Sequence, residues 1–404
     1  MNNLESTSKE SWETTTVIAK KLDNSVLAIQ GPPGTGKTYT ASRVIAALAK
    51  SGKRVGITAV GHAVIANLLK DVKEADNKVH ISHKGDKTQV TAPDCERLSD
   101  KDAVLDALEE YKVVGGTAFI WAADELDQQL DYLFIDEAGQ MSLAMALTAA
   151  QSAKNIVLLG DPQQLEQPQR AAHPEGSEIA ALSHLIGDKQ TIADEQGLFL
   201  DTTYRMHPAI CQFTSEQYYE DRLSAQSFLK NQTLLRHADR PEHQLNFIPV
   251  KHNGNQSRSA EESQEIKQLI NNLLAKKTHW TDKDNTSHRL QPEHILVVAP
   301  YNAQVSLLRQ TLPSDVRVGT VDKFQGQQAP VVIYSMTSSS AADAPRGMSF
   351  LFSPNRFNVA TSRARCAVYV FGSPELISTS CTTPQQIRWM NGMCRYIEMA
   401  SQPN

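Results

Sequence analysis

The chain has 404 residues, a formal net charge of −5, 40% hydrophobic and 21% charged residues. That length gives room for two or three domains with cores of their own, and the proportions are ordinary for a globular protein. The slightly acidic balance excludes a protein that holds polyanions by overall charge, so any nucleic-acid site must be a local basic strip.

In chain order, Met1-Asn2-Asn3-Leu4-Glu5 has neither the basic nor the apolar region of a signal peptide. No later apolar run is long enough to span a membrane. The run Val26-Leu27-Ala28-Ile29 reads as a buried strand, and Ser42 to Ala49 reads as a helix. Between them stands Gly31-Pro32-Pro33-Gly34-Thr35-Gly36-Lys37-Thr38, followed by Tyr39. It fits the phosphate-binding pattern G-x-x-x-x-G-K-[ST] in the strand–loop–helix context that pattern needs. Glycines let backbone N–H groups turn in around phosphate, and the helix start adds its positive dipole end. Lys37 is expected on the β- and γ-phosphates and Thr38 on Mg²⁺. The expected ligands are therefore ATP, or another nucleoside triphosphate, and Mg²⁺.

Val55–Val60 reads as a second strand. The charged stretch from 68 to about 112 reads as a helical insertion, either a solvated addition or a nucleic-acid-gripping subdomain. Leu133-Phe134-Ile135 then carries the chain through a sheet and delivers Asp136 and Glu137 at its end. Asp136 is expected to hold the metal, and Glu137 to orient and deprotonate the attacking water. Ile156–Leu159 reads as a fourth strand of this group. A domain boundary is placed at 196/197. After a polar stretch from about Lys230 to Gln291, the runs Ile295–Ala299, Val331–Met336 and Val368–Phe371 read as strands of a second sheet. Buried strands alternating with helices give an α/β protein with two tandem RecA-like domains and parallel sheets, 1–196 and 197–404. The cysteines Cys95, Cys211, Cys366, Cys381 and Cys394 lack metal-ligand spacing, which fits a reduced, cytoplasmic setting.

Four further stretches complete a recognisable series: Gly160-Asp161-Pro162-Gln163-Gln164-Leu165, Thr203-Tyr204-Arg205-Met206-His207-Pro208, Val318 to Gln327, and Asn355 to Arg365. In this order they resemble superfamily 1 helicases of the 5′-to-3′ branch, and most of all the helicase half of bacterial fusions with a RecB-like nuclease. The resemblance implies an ATP-driven helicase or translocase on single-stranded nucleic acid, DNA favoured over RNA. The alternative is a strand-stimulated ATPase switch that remodels a partner complex without unwinding. It further implies that Gln164 senses the γ-phosphate and that Arg205 and Arg363 reach the triphosphate from the second domain. Thr58, Gly61, His62 and Thr117 would touch the strand from the first domain, and Thr320, Asp322 and Lys323 from the second; a loop-structuring role is open for each. Two departures stand out. No glutamine in Trp12-Glu13-Thr14-Thr15-Thr16 is placed to read adenine, leaving Tyr39 and Tyr204 as stacking or core residues. Gln328 stands where the family has a glutamate on the nucleotide sugar. With no nuclease half ahead of the phosphate loop, nucleolytic action is expected to need a nuclease, repair or defence partner.

Overall fold

The computed structural model describes residues 11–86, 92–110, 112–165, 179–237, 240–275, 278–324 and 326–400. The chain forms two compact units, Met1–Asp201 and Thr202–Asn404.

Among the described residues the first unit is built on eight strands: β1 (Val26–Gln30), β2 (Val55–Thr58), β3 (Ile81–Lys84), β4 (Glu96–Leu98), β5 (Val113–Gly115), β6 (Leu130–Ile135), β7 (Ala153–Gly160) and β8 (Gly197–Phe199). Their order across the sheet is β4-β3-β5-β2-β6-β7-β1-β8, and every pairing is parallel. Near-continuous apolar runs such as Leu-Ala-Ile and Leu-Phe-Ile suit strands covered on both faces. One face packs under Val44, Ile45 and Leu48 of the helix Lys37–Lys50 and Ile65, Leu68 and Leu69 of the helix His62–Ala75. The other face packs under Trp121, Leu126, Met141 and Leu182. Burying each such large side chain is worth about 1.5–3 kcal/mol.

Two sequence expectations change here. The stretch 68–112 is not a helical insertion, because β3 and β4 within it extend the main sheet, with Ser82 opposite both Glu96 and Val114. Ile-Ser-His-Lys and Glu-Arg-Leu carry too few apolar residues to announce strands. The boundary also moves from 196/197 to 201/202, since Gly197–Phe199 pairs with Ala28–Gln30 and completes the first sheet.

The second unit has a five-stranded parallel sheet in the order Leu245–Pro249, Ala364–Gly372, Ala329–Ser335, Ile295–Val298, Arg317–Gly319. Helices Ala260–Ala275 and Asn302–Thr311 cover one face through Ile266, Ile270, Val305 and Leu308. The polar stretch conceals a small four-stranded sheet that includes Leu234–His237, His279–Thr281 and Ser287–Arg289. It also conceals the edge strand Leu245–Pro249.

Behind the strand Ala329–Ser335 lies a fully buried network. Glu262 accepts from the backbone N–H of Thr337, at 3.0 and 3.1 Å, and from the Ser335 hydroxyl. His252 Nε2 is 3.1 Å from Glu262, and His252 Nδ1 is 2.7 Å from the Ser339 hydroxyl. The Ser–His–Glu connectivity resembles a nucleophile triad, but Ser339 and Glu262 are 0% exposed. Its work is to fix the turn at Thr337, whose φ of 72° is left-handed.

Candidate nucleotide site and strand-facing edges

Because all strands of the first sheet run parallel, their carboxyl ends share one edge, where ligands gather in open α/β sheets. The phosphate loop leaves the end of β1, and its first N–H, from Gly31, donates to the Gly160 carbonyl at 2.9 Å. Gly34 and Gly36 take φ values of 78° and 80°, a left-handed conformation that costs glycine little. Gly36 caps the helix that begins at Lys37. Pro32 and Thr35 close the loop from within, with the Thr35 hydroxyl donating to the Pro32 carbonyl at 2.8 Å. Lys37 curls back so that Nζ donates to the Gly31 carbonyl at 2.5 Å. Pro33 is buried, and Thr38 stands half-exposed in the first helical turn. Tyr39 is 53% exposed with the Arg43 guanidinium 3.2 Å above its ring, so it is not a core residue.

Asp136 follows β6, two strands from β1. It is 6% exposed, and burial together with the neighbouring carboxylate of Glu137 pushes its pKa up to about 7. A buried carboxyl with so little compensation suits a cation. Glu137 has a left-handed φ of 53° and donates its own N–H to Asp136 Oδ1 at 2.9 Å. A turn this strained is held by its surroundings. The surroundings are the end of β7: a Cβ on Gly139 would meet the Asp161 carbonyl oxygen at 2.8 Å, and one on Gly160 would meet the Gly139 nitrogen at 2.6 Å. The two glycines let the Asp136–Glu137 turn lie directly on the Asp161–Gln164 loop. There the buried Gln164 donates through Nε2 to Asp161 Oδ2 at 2.8 Å. Gln163 and Gln30 both donate to the Gln190 carbonyl, at 3.2 and 2.9 Å, joining this loop to the end of β1. Lys37, Thr38, Asp136, Glu137 and Gln164 thus share one stretch of sheet edge. These residues fit a triphosphate and a divalent cation.

The same edge continues through β2, β5 and β3 to the residues expected on the strand. Gly61 and His62 stand at the surface after β2, and His62 Nδ1 lies 3.0 Å from His83 Nε2 on β3. Thr117 follows β5. Thr58 is different: it is 0% exposed, and its hydroxyl has no hydrogen-bond partner among the described residues.

In the second unit the expected residues separate to opposite ends of the sheet. Arg205, Arg363 and Gln328 lie at the amino end. Arg205 Nη1 is 3.5 Å from the Ser362 carbonyl, and the buried Arg363 donates through Nε to the Val359 carbonyl at 3.1 Å. Burial, then the charges of Arg363 and Arg365, push the Arg205 pKa down to about 9. Gln328 is exposed, and its carbonyl accepts from Arg317 at 3.2 Å. Tyr204, 42% exposed, is not a core residue either. At the carboxyl end are Thr320, Asp322 and Lys323. Asp322 is paired with Arg356 at 3.2 Å, so its carboxylate neutralises a cation beside the surface.

Two family models, each described as an AAA domain, match residues 13–185 and 181–375. DNA polymerase alpha-associated DNA helicase A of Schizosaccharomyces pombe is 24% identical over 413 residues, covering 86% of this chain and 61% of that protein. ATP-dependent helicase upf1 of the same organism is 26% identical over 428 residues, covering 90% and 44%. DNA replication ATP-dependent helicase/nuclease DNA2 of Xenopus laevis is 28% identical over 385 residues, covering 87% and 36%. The two AAA-domain matches and these relatives together support a place among the superfamily 1 helicases. The chain spans between 36% and 61% of the length of these three relatives.

Within this chain the structure adds residues that motif reading passed over. Arg365 joins the arginine group, its guanidinium 4.6 Å over the Trp280 ring. Arg356 and Arg346 both stack on Phe350, at 4.3 and 4.0 Å. Arg365 and Arg356 were visible within the last motif, but nothing in the sequence marks their aromatic partners.

Proposed function

We propose that this chain is the motor segment of an ATP-dependent helicase or translocase acting on single-stranded nucleic acid, DNA favoured, moving 5′ to 3′. The observation that carries the proposal is the single sheet edge on which the phosphate loop, the Asp136–Glu137 turn and Gln164 adjoin the surface around Gly61 and His62. Gly31 to Thr38 bind the triphosphate, and Thr38 and Asp136 hold Mg²⁺. The metal, when bound, neutralises charge on the phosphoryl oxygens. Glu137 orients the attacking water and takes its proton. Gln164 links the phosphate end to the strand side, and Arg205 and Arg363 act on the transferring phosphoryl group. Tyr39, Tyr204 and Gln328 are assigned to the nucleoside, and Gly61, His62, Thr117, Thr320 and Lys323 to the strand.

The preference for DNA and a nuclease or repair partner draw support from relatives whose names carry DNA replication and nuclease roles. Five free cysteines support a reducing, cytoplasmic setting. Among the described residues no helix is long and apolar enough to cross a membrane.

A strand-stimulated switch that does not unwind is the second reading. It is favoured by the way β3, β4 and β5 extend the main sheet among the described residues. ATP hydrolysis with and without single-stranded DNA or RNA tests the proposal, with Lys37→Ala as control. Strong stimulation by one polymer, and a fall of about 10²-fold or more in the variant, are expected. Turnover untouched by Lys37→Ala overturns the assignment. Strand displacement from a tailed duplex separates the two readings.

A further inference from the structure

Phe119 is, among the described residues, the most exposed large hydrophobic side chain, at 80%. Its place is enforced. It belongs to the four-residue helix Ala118–Trp121 that follows β5. Trp121, 0% exposed, donates through Nε1 to the Ile57 carbonyl at 3.2 Å and the Gly116 carbonyl at 3.1 Å. The Gly116 N–H donates to the Ile57 carbonyl at 2.9 Å, and a Cβ on Gly116 would meet Ile120 at 2.5 Å. With Ala118 and Trp121 drawn into the core, Phe119 is left facing solvent on a clamped turn.

The neighbours give that exposure a purpose. β3, β5 and β2 are consecutive in the sheet, so their ends set Lys84, the Gly116–Phe119 turn and His62 side by side, about 4.8 Å per strand. The Lys84 Cβ lies only 3.6 Å from where a Gly116 Cβ would stand. A rigid aromatic between a cation and hydrogen-bonding groups suits a polyanion whose bases are unstacked, better than an apolar peptide.

We propose that Phe119 is a base-stacking platform for a single strand running along the ends of β3, β5 and β2, with Lys84 and His62 on its phosphate side. This rests on the strand-binding reading above. Stacking on every base face is indifferent to sequence, as a translocating motor requires.

The test compares the full chain with Phe119→Ala, Phe119→Trp and Phe119→Leu. Each is titrated against a labelled oligothymidylate and against an abasic phosphodiester of equal length. Phe119→Ala is expected to lose about 5- to 100-fold in affinity for the base-bearing strand and nothing on the abasic one. Tryptophan is expected to retain binding, and leucine to behave like alanine. Equal losses on both polymers, no loss on either, or full rescue by leucine overturn the platform. Melting temperature is expected to be unchanged in all three, given the exposure of the site. Failure of the wild-type chain to bind either polymer overturns the strand-binding reading itself. Wild-type binding with an indifferent Phe119→Ala overturns the platform alone.

Discussion

The backbone N–H of Asp136 donates to the carbonyl of Thr58 across 2.9 Å. One hydrogen bond therefore joins the carboxylate assigned to the metal with the turn assigned to the strand. β2 and β6 are paired neighbours, with Thr58 opposite Ile135, so the two turns cannot move independently without breaking that register.

The Thr58 side chain takes no visible part in this link. Its hydroxyl is buried and without a hydrogen-bond partner among the described residues, a state that costs stability. Thr58→Val is expected to melt at or above wild type, by up to about 1 kcal/mol, with unchanged strand affinity. Urea unfolding and strand titration check this. A loss of strand affinity in a well-folded variant would show that the hydroxyl reaches the strand after all.

Gly139 and Gly160 hold the Asp136–Glu137 turn against the Gln164 loop through backbone contacts that leave no space for a Cβ. Backbone has no rotamer with which to yield. Gly139→Ala is expected to cost about 1–3 kcal/mol and to slow ATP turnover even where folding is retained. Stability and kcat measured together decide it, and a variant normal in both would mean that the two turns separate freely.

Burial first, then the charges of Arg363 and Arg365, push the Arg205 pKa down to about 9. Such a group opposes folding at neutral pH, since the folded state disfavours a proton the unfolded chain keeps. Arg363→Met is expected to lower turnover by about 10³-fold while ATP affinity changes little. Its melting temperature is expected to equal or exceed that of wild type. A stable variant with normal turnover removes Arg363 from the phosphoryl group.

What could be read from the sequence was local. Gly31–Thr38 and Asp136–Glu137 announce themselves because their chemistry is contiguous and each follows an apolar run. The strands Ile81–Lys84 and Glu96–Leu98 escape because short strands near the rim of a sheet gain most of their stability from pairing, which a linear pattern does not display. Tertiary packing also decided Thr58, whose motif position marks it for the strand but whose strand position buries it. Phe119 shows the converse. Its neighbours Ala118, Ile120 and Trp121 make it look like part of a core segment, and only the Trp121 hydrogen bonds reveal that it faces out.

His83 gives the protein a pH-dependent stability with a definite sign. It is 1% exposed on β3, and burial, then the charges of His62 and Arg97, push its pKa down to about 4. An unfolded histidine titrates near 6.5. Between these values the unfolded chain binds a proton that the folded chain refuses. The contribution is therefore fully present above about pH 6.5 and lost as pH falls toward 4, at about 1.4 kcal/mol per unit. Asp136 acts in the opposite sense, since its raised pKa of about 7 makes the folded state the better proton binder from its unfolded value upward. The wild-type profile alone mixes the two. The stability of wild type minus that of His83→Gln isolates the histidine, and by urea unfolding it is expected to climb with pH up to about 6.5 and then level off. A difference that stays flat across this range would mean that His83 is protonated in the folded protein. The 3.0 Å approach of its Nε2 to His62 Nδ1 would then join two protonated rings unless His62 is neutral. In the folded state a single shared N–H between two neutral imidazoles accounts for that contact.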